Sequence, residues 1–261
     1  MKYCLAITTY NNFKSLDLLL NDLIHHKKKY DFIFIIDDCS HNANDELNQI
    51  INKYNNHFSK ISFHTFDKNF GGATRSRNYC INYLKENEKL IDFVTFLDQD
   101  DKIDKNFLEI IDPILNSNNK IDAINGKYVR ENLLKKNYIN ENNLLKKIKF
   151  HDFKYHNFIS MSGFTLKLKI NFLTRFSEEK NINAIEDYDF YLKFIKEGYN
   201  FYYLNHNLIV YGYYYSPQHL SRNKLKMLIK FSLVNGRNFG FLFLPFRILV
   251  WATINILKRK L

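Results

Sequence analysis

The stretch Phe93-Val-Thr-Phe-Leu-Asp98-Gln-Asp100-Asp101 decides the fold. Its short apolar run predicts a buried β-strand at residues 93–97, and three carboxylates follow within four residues. Two carboxylates one residue apart on extended backbone can point the same way, and their oxygens suit Mg²⁺ or Mn²⁺. The alternative is a solvated acidic turn that caps a helix near Asp104. Because the acids follow a buried strand, we favour a metal and phosphate site.

The same alternation of short apolar runs with helical spacing extends upstream. Strands are predicted at residues 3–9, 32–36 and 61–66, and helices at residues 13–26, 44–58 and 72–84. This order predicts an α/β fold with a doubly wound, mostly parallel sheet. In such a sheet the ligand crevice lies at the carboxyl ends of the strands. Polar clusters occur at four of these ends, at residues 8–11, 37–40, 69–72 and 98–101.

The pattern is less regular beyond residue 104. Helices are predicted at residues 107–115 and 184–197, strand-like runs at 120–129, 158–168 and 199–215, and an Asn/Lys-rich excursion at 131–149. We divide the chain into a domain at residues 1–218, with halves at residues 1–103 and 104–218, and a basic amphipathic helical extension at residues 219–261.

Composition narrows the possible partners. The chain has 261 residues, 46% of them hydrophobic, and a net charge of +11 from 38 Lys and Arg against 27 Asp and Glu. A basic protein attracts phosphates, nucleic acid or an anionic membrane. No helix-turn-helix, zinc-finger or RNA-binding signature is present, so we expect no nucleic-acid partner. The three cysteines lack CxxC spacing, which favours reduced thiols in a cytoplasmic protein.

Two further clusters in the first half of the chain, and a third after residue 184, contain side chains suited to ligand binding or catalysis. Asp37 and Asp38 follow the second strand, where a carboxylate can bind a nucleobase or ribose, although Ser40 could instead cap the next helix. The segment Asn69-Phe-Gly71-Gly72-Ala-Thr-Arg-Ser-Arg77 allows close backbone approach at a helix N-terminus, and its arginines can reach a diphosphate.

Three acids open the helix predicted at residues 184–197: Glu186, Asp187 and Asp189. Acids at a helix start also complement its dipole, so their presence alone does not establish catalysis. As a general base, one of them would take the proton from an attacking sugar hydroxyl.

Taken in order, these motifs resemble inverting glycosyltransferase family 2, whose members have the GT-A nucleotide-diphospho-sugar fold. The resemblance covers roughly residues 5–203. It implies that the domain at residues 1–218 is catalytic, with a nucleotide-binding half at residues 1–103 and an acceptor-binding half at residues 104–218. Its motifs are Thr8-Thr-Tyr10-Asn11, Ile36-Asp-Asp-Cys-Ser40, Asn69-Phe-Gly-Gly-Ala73 with Arg77-Asn78, Leu97-Asp-Gln-Asp-Asp101, Met161-Ser-Gly-Phe164 and Glu186-Asp-Tyr-Asp-Phe190.

The resemblance implies a role for each motif. Thr8, Tyr10 and Asn11 would border the nucleotide, Asp37 or Asp38 would bind the base, and Arg77 would approach the phosphates. Asn69, Gly71, Gly72 and Gln99 belong to the same nucleotide-sugar site, and Ser162 and Gly163 would lie near the acceptor or donor sugar. Asp98 and Asp100 would hold ribose and metal, with Asp100 the more direct ligand.

For catalysis, the resemblance implies Asp187 as the base, with Glu186 or Asp189 as its neighbour. Many relatives carry a histidine some 25 residues after the base. Here Gly212 occupies that place in one alignment, and His219 is a candidate metal ligand in another.

The apolar tail, residues 239–257, is broken by Pro245 and Arg247 and followed by Lys-Arg-Lys at 258–260. Such a segment suits a membrane interface better than a span. We therefore expect a cytoplasmic enzyme whose tail can lie on the inner face of the cytoplasmic membrane. The alternative is a helix packed on the domain or in a homodimer.

The expected activity is that of a hexosyltransferase type of enzyme. It would move a sugar from a nucleotide-sugar donor, UDP-linked by default, to a glycan or lipid-linked acceptor in lipopolysaccharide or capsule assembly, with Mg²⁺ or Mn²⁺ as cofactor. The alternatives are a sugar-phosphate nucleotidyltransferase and a non-catalytic sugar-nucleotide-binding module.

Overall fold

The computed structural model describes residues 1–130, 144–168, 173–214, 224–242 and 244–260. The strands are β1 (Tyr3–Thr9), β2 (Phe32–Asp37), β3 (Ile61–Thr65), β4 (Phe93–Asp98), β5 (Lys102–Ile103), β6 (Ala123–Arg130), β7 (Leu145–Lys147), β8 (Thr165–Lys167) and β9 (Phe201–Tyr211). The α-helices are α1 (Phe13–Ile24), α2 (Ala43–Tyr54), α3 (Thr74–Asn87), α4 (Phe107–Ser117), α5 (Glu186–Lys196), α6 (Lys224–Phe239) and α7 (Leu244–Lys260).

The described strands form one sheet in the order β3-β2-β1-β4-β8-β6-β9-β5, with β7 also paired to β9. The first four strands of this order are parallel, as are β6 and β9. Strand β8 is antiparallel to both of its neighbours, β4 and β6, and β5 and β7 are antiparallel to β9. The predicted doubly wound, mostly parallel sheet is therefore confirmed.

Apolar side chains cover both faces of this sheet, as expected for strands buried on two sides. Along β1, Cys4 and Ala6 belong to the core on one face, and Leu5 and Ile7 to the core on the other. Helices α1, α2 and α4 pack on the second face, and α3, α5 and α6 on the first. Each fully buried Leu, Ile or Phe contributes roughly 1.5–3 kcal/mol relative to exposure, so this double core fixes the register of β1, β2 and β4.

Most predicted elements are present with shifted ends, and a few predictions are wrong. The run at 158–168 contains only the short strand β8, and the segment before it is irregular. Residues 145–147 of the predicted excursion form β7, because they pair with the buried strand β9, whereas residues 131–143 lie outside the described part. Helix α4 begins at Phe107 with Asn106 as its N-cap, so the acidic turn at residues 98–101 does not cap it. The short strand β5 had no sequence signal.

Helices α6 and α7 form an antiparallel hairpin, consistent with the helical character predicted beyond residue 219. Phe231 of α6 stacks on Trp251 of α7 with ring centroids 5.4 Å apart, and Asn235 contacts Arg247 one turn further on. Pro245 falls in the first turn of α7, where its missing N–H costs little. Among the described helices, none is both long enough and apolar enough to traverse a bilayer.

Candidate active site

The carboxyl ends of β1, β2 and β4 lie side by side. Thr8 is in register with Asp98, and Thr9 with Asp37. The Thr8 hydroxyl donates to Asp98 Oδ1 at 2.8 Å, and the Thr9 hydroxyl donates to Gln99 Oε1. Gln99 Nε2 in turn donates to the carbonyl of Tyr10 at 3.1 Å. The polar clusters after β1, β2 and β4 thus form one rim, as the strand order predicted.

Arg77 of α3 connects this rim to helix α5. Its Nη2 lies 2.9 Å from Asp98 Oδ1, and its Nη1 lies 3.1 Å from Glu186 Oε1. Burial alone would lower the pKa of the guanidinium, but the carboxylates of Asp98 and Glu186 outweigh it and raise that pKa. Because Arg77 is only 3% exposed and held by two acids, it lies beneath the rim instead of extending into solvent toward a phosphate.

The three acids after β4 have different environments. Asp101 is buried; its Oδ2 accepts from the Ser162 hydroxyl and its Oδ1 from the Gly212 N–H at 2.6 Å. Burial, then the charges of Asp100 and Asp98, raise the pKa of Asp101. Burial and Asp98 also raise the pKa of Asp100 to about 6. Negative charge is therefore concentrated at this strand end, where a cation would relieve the repulsion.

The donor set at this end fits a hard cation. Thr8 and Arg77 both contact Oδ1 of Asp98, whose side chain remains 35% exposed, and Asp100 is partly exposed beside it. Mg²⁺ or Mn²⁺ commonly takes one or two carboxylates and completes its shell with phosphate oxygens and water. Within the described ranges no group of three or more His, Cys, Asp or Glu side chains could hold a metal by itself. His219 lies outside the described residues.

Asp38 organises the glycine loop. Its Oδ1 accepts from the Phe70 N–H at 2.9 Å, and its Oδ2 accepts from Asn69 Nδ2 at 3.1 Å and from the Gly72 N–H at 3.4 Å. Burial raises the pKa of this carboxyl, although the backbone donors oppose the rise. The structure therefore brings Asp38 together with Asn69, Gly71 and Gly72, as one unit.

Asp37 is fully buried and holds its own turn. It accepts from the N–H and the hydroxyl of Ser40 and from the hydroxyl of Thr65 at 2.9 Å. Ser40 is therefore a partner of Asp37; the N-cap of α2 is Asn42, so the capping alternative for Ser40 is wrong. Asn11, with φ +46°, joins this turn to β1, because its N–H donates to Ser40 Oγ at 2.6 Å and its Oδ1 accepts from the His41 N–H.

A cavity of about 410 Å³ opens at the ends of β2 and β3. Its lining residues are Cys39, Ser40, Asn42, Ala43, Asn44, Asp45, Thr65, Phe66 and Asp67. The wall thus combines one aromatic ring with several polar groups beside the Asp37 turn.

Helix α5 opens with the predicted acids, and each has a different partner. Asp187 Oδ2 accepts from Asn157 Nδ2 at 2.9 Å, and burial followed by the charge of Glu186 raises the Asp187 pKa to about 7. Glu186 Oε1 accepts from Arg77 Nη1, while the buried Oε2 of Glu186 has no hydrogen-bond partner among the described residues. Asp189 pairs with Lys193 one turn along the helix at 2.6 Å. Asp187 is therefore the partly exposed acid whose protonation can change near neutrality.

The turn before α5 contacts the glycine loop closely. Asn183 Nδ2 donates to the carbonyl of Gly71, which has φ +76°. A Cβ at Gly72 would lie 2.6 Å from Asn183 Oδ1, so only glycine fits there without a shift of the amide. The Asn183 side chain is thus packed directly against the backbone of the two glycines.

Ser162 and Gly163 lie under the rim. Ser162 is buried, accepts from the Asp98 N–H at 3.2 Å and donates to Asp101. Gly163 has φ +86°, and its N–H donates to the Phe96 carbonyl at 2.8 Å. A Cβ at Gly163 would lie 2.7 Å from the Ile209 side chain. Ser162 therefore supports Asp98 and Asp101 from below, and Gly163 ties the same turn to strand β4.

Three residues of this arrangement had no assigned role in the sequence prediction. Asp101 is the third acid after β4, and its place in that run was its only signal. Asn157 and Asn183 come from irregular segments in an Asn-rich chain, where no spacing distinguishes them.

Comparison with known proteins adds independent evidence. The profile of glycosyl transferase family 2 matches residues 4–172. The structure is similar to that of Staphylococcus aureus TarS 1-349 in complex with UDP-GlcNAc, at 20% identity and a TM-score of 0.64, covering 90% of this chain and 65% of that one. It is also similar to mannosyltransferase PcManGT from Pyrobaculum calidifontis in complex with GDP-Man and Mn²⁺, at 11% identity and a TM-score of 0.59, covering 97% and 73%.

These likenesses support the fold, and the profile supports the family. Two further TarS structures match as well, and the matched region covers 64% of one and 39% of the other. The chain therefore spans less than two thirds of the length of these TarS chains. No protein of curated function matches it in sequence. The sheet and its flanking helices match those of GT-A glycosyltransferase structures, as the sequence motifs predicted. Because the profile match extends over more than half of the residues, the chain belongs to glycosyl transferase family 2.

Proposed function

We propose that the protein is an inverting glycosyltransferase that moves a sugar from a nucleotide-diphosphate donor to a hydroxyl of a glycan or a lipid-linked acceptor. The observation that carries this proposal is the bridge made by Arg77, which joins Asp98 on the donor side to Glu186 next to Asp187. A donor-side acid and a base candidate thereby share one site. Family membership and the GT-A fold support the same conclusion.

The donor would lie along the rim formed by β1, β2 and β4. The 410 Å³ cavity would receive the nucleobase, and the loop held by Asp38 would lie beside the diphosphate. Asp98 and Asp100 would hold Mg²⁺ or Mn²⁺ against the diphosphate. When bound, that cation supplies positive charge to the leaving nucleoside diphosphate. Arg77 keeps Asp98 in place from beneath.

Asp187 is the proposed general base. The residue is partly exposed, and a pKa near 7 suits a group that must accept a proton at neutral pH. The Asn157 amide orients it by donating to Oδ2. The acceptor oxygen forms its bond to the anomeric carbon as the bond to the diphosphate oxygen breaks, and its proton passes to Asp187. Attack from the face opposite the leaving group inverts the configuration.

UDP is the preferred donor nucleotide in this proposal, since a TarS structure of similar fold contains UDP-GlcNAc. The competing possibility is GDP, which is present as GDP-Man in the PcManGT structure. The test is a thermal-shift series with UDP-GlcNAc, UDP-glucose, dTDP-glucose and GDP-mannose, each with and without Mn²⁺. A ligand at 100 times its Kd adds about 2.7 kcal/mol to the stability of the folded state.

We expect the two UDP-sugars to raise the melting temperature in the presence of Mn²⁺, and the active donor to release its nucleoside diphosphate on prolonged incubation. A shift with GDP-mannose alone would contradict the UDP assignment. The absence of a shift with every sugar nucleotide would contradict the proposed activity itself. Release of pyrophosphate from a nucleoside triphosphate and a sugar phosphate would assign a nucleotidyltransferase instead.

We also propose that the helical hairpin attaches the enzyme to the inner face of the cytoplasmic membrane, where a lipid-linked acceptor for lipopolysaccharide or capsule assembly would lie. Four large apolar side chains near the hairpin tip are exposed: Phe241, Leu242, Phe246 and Leu249. Basic residues 258–260 end the same helix, and the net charge of +11 favours anionic lipid.

Flotation with vesicles tests this attachment. The full chain should float with phosphatidylglycerol-containing vesicles and less with neutral ones, and Phe241→Ser combined with Leu242→Ser should reduce flotation at least fivefold. Leu90→Ser, at another exposed leucine, is the matched control. Equal flotation of the double variant and the wild type would overturn the attachment. Loss of a dimer in the double variant without any flotation of the wild type would assign the face to a second copy.

A further inference from the structure

Tyr188, which follows the proposed base, is tied to helix α6. Its ring stacks on Phe231 with centroids 5.6 Å apart. Its hydroxyl donates to the Phe153 carbonyl at 2.9 Å and accepts from Asn235 Nδ2 at 3.0 Å. Because Tyr188 lies in the first turn of α5, these contacts restrict the helix turn that carries Asp187.

Asn235 is itself fixed by the rest of the hairpin. It is fully buried, and its Nδ2 also donates to the Lys154 carbonyl at 2.7 Å. Its Oδ1 accepts from Arg247 Nε of α7 at 2.5 Å, and Arg247 Nη2 donates to the Gly240 carbonyl. All the hydrogen-bonding atoms of the Asn235 amide therefore have protein partners, and the partners come from three different segments.

Arg247 is an unusual component of this network. It is 1% exposed, and none of the ion pairs within the described ranges includes it. Neutral oxygens repay the desolvation of a buried guanidinium incompletely, so its net contribution to stability is small. Within the described residues the hydrogen bonds of Arg247 go to neutral oxygens, and one of them fixes the orientation of the Asn235 amide.

A second contact from α6 reaches the turn that precedes α5. Lys230 Nζ donates to the carbonyl of Asn183, and Asn183 Nδ2 donates to Gly71. The next residue, Ala184, has φ +75°, a left-handed conformation that is unfavourable for a residue with a Cβ. Such a conformation persists where the surroundings hold it. Lys230 and Asn235 thus connect α6 to Asn183 and Tyr188, which lie on either side of Glu186 and Asp187 in the chain.

We propose that α6 and α7 form a brace that positions the first turn of α5, and with it the carboxylate of Asp187, through the contacts Asn235–Tyr188 and Lys230–Asn183. The meaning of this brace for catalysis rests on the proposed function, whereas its effect on α5 does not. Tyr188, Asn235, Lys230 and Arg247 are positioning residues, since each acts through another group. A misplacement of about 1 Å at a reacting group can cost about 10²-fold in rate.

Hydrogen exchange measured by mass spectrometry tests the brace without any ligand. The variants are Tyr188→Phe, which keeps the ring and removes only the hydroxyl, and Arg247→Met, which keeps an apolar side chain of similar length. The control is Asn238→Ala, three residues beyond Asn235 on α6, whose amide binds Lys196 at the far end of α5. We expect amides of residues 183–189 to exchange about tenfold faster in the two brace variants and at the wild-type rate in the control.

Unchanged exchange of residues 183–189 in Tyr188→Phe would overturn the brace. If Arg247→Met fails to fold, the test rests on Tyr188→Phe and on Arg247→Lys. In Arg247→Lys we expect the amides of residues 183–189 to exchange at a rate between those of the wild type and Tyr188→Phe. Release of UDP from UDP-GlcNAc supplies the catalytic readout: kcat should fall about tenfold in Tyr188→Phe while KM for the donor stays within twofold. A wild type that turns over none of the tested sugar nucleotides contradicts the proposed function, and the exchange result still judges the brace.

Discussion

Nη2 of Arg77 lies 2.9 Å from Oδ1 of Asp98, in an ion pair between helix α3 and the end of strand β4. The other nitrogen of the same guanidinium, Nη1, contacts Glu186 at the start of α5. The planar fork of an arginine can serve two carboxylates at once, which the ammonium of a lysine cannot do in the same geometry. Arg77 therefore holds the end of β4 and the start of α5 at a fixed separation.

Replacement of Arg77 by methionine should destabilise the fold and abolish transfer. The change leaves Asp98 and the buried Glu186 without their counter-charge, and removal of one partner of a buried pair typically costs about 3–5 kcal/mol. Urea denaturation measures the loss. Arg75→Met is the control, because Arg75 is exposed and its ion pair with Glu178 is long, at 3.9 Å. This change should cost less than about 1 kcal/mol. Equal stabilities for the two variants would show that the bridge is not structural.

The substitution Asp187→Asn should abolish transfer and leave donor binding within about twofold. An amide cannot accept the proton of the acceptor hydroxyl, and loss of a general base typically costs about 10²–10⁴ in rate. Steady-state kinetics and titration with the donor nucleotide separate the two effects. Glu179→Gln, at an exposed acid paired with Arg237, is the control. Transfer by Asp187→Asn at near wild-type rate would remove Asp187 from the mechanism.

The dependence of kcat on pH should show an acidic limb with a midpoint near 7. Burial and Glu186 raise the pKa of Asp187 to about 7, and the protonated carboxyl cannot act as a base, so kcat falls as pH decreases through this value. The Asn157 amide donates to the carboxylate and thereby lowers its pKa. Asn157→Ala should consequently move the limb to higher pH. A limb that stays in place, or moves to lower pH, would contradict the role of Asn157.

The sequence was most informative where local patterns act alone. Strands β1, β2 and β4 were predicted to within one residue, because each is a short apolar run followed at once by polar residues. Their parallel order then placed Thr8, Asp37 and Asp98 at one edge without knowledge of any contact. The glycines of the loop at residues 69–72 were also recognised as a place of close approach.

The partners of those residues could not be predicted, since long-range packing selects them. Gly72 leaves no room for a Cβ beside the side chain of Asn183, which is more than 100 residues away in sequence, and no pattern in the sequence pairs the two. Arg77 was expected at the phosphates, and its two acids lie 21 and 109 residues away in sequence. Asn157 and Asn183 belong to irregular segments of a chain rich in asparagine, so neither periodicity nor spacing distinguishes them from surface residues.

Removal of divalent metal should stop the reaction. Excess EDTA should abolish transfer, and added Mn²⁺ or Mg²⁺ should restore it, because Asp98 repels the charge of Asp100 until a cation binds. Asp100→Asn removes one of the two proposed ligands and should raise the Mn²⁺ concentration for half-maximal activity at least tenfold. Glu109→Gln, an exposed acid on α4 near Lys27, controls for the change of net charge. Full activity in excess EDTA would exclude a metal from the mechanism.

Gly72 and Asn183 should behave as one unit in a double-mutant cycle. A methyl group at position 72 would lie 2.6 Å from Asn183 Oδ1 and would displace the amide that binds the Gly71 carbonyl. Gly72→Ala should therefore weaken donor binding and stability by about 1–3 kcal/mol, the usual cost of overpacking. Asn183→Ala removes the same contact without a clash. In the combined variant the methyl group at position 72 no longer meets an amide oxygen at position 183. The loss of free energy in that variant should therefore be smaller than the sum of the two single losses by more than about 0.5 kcal/mol, as is typical of residues in contact. Strict additivity in thermal melts and donor titrations would mean that the two residues act independently, and that the glycine loop is held by Asp38 alone.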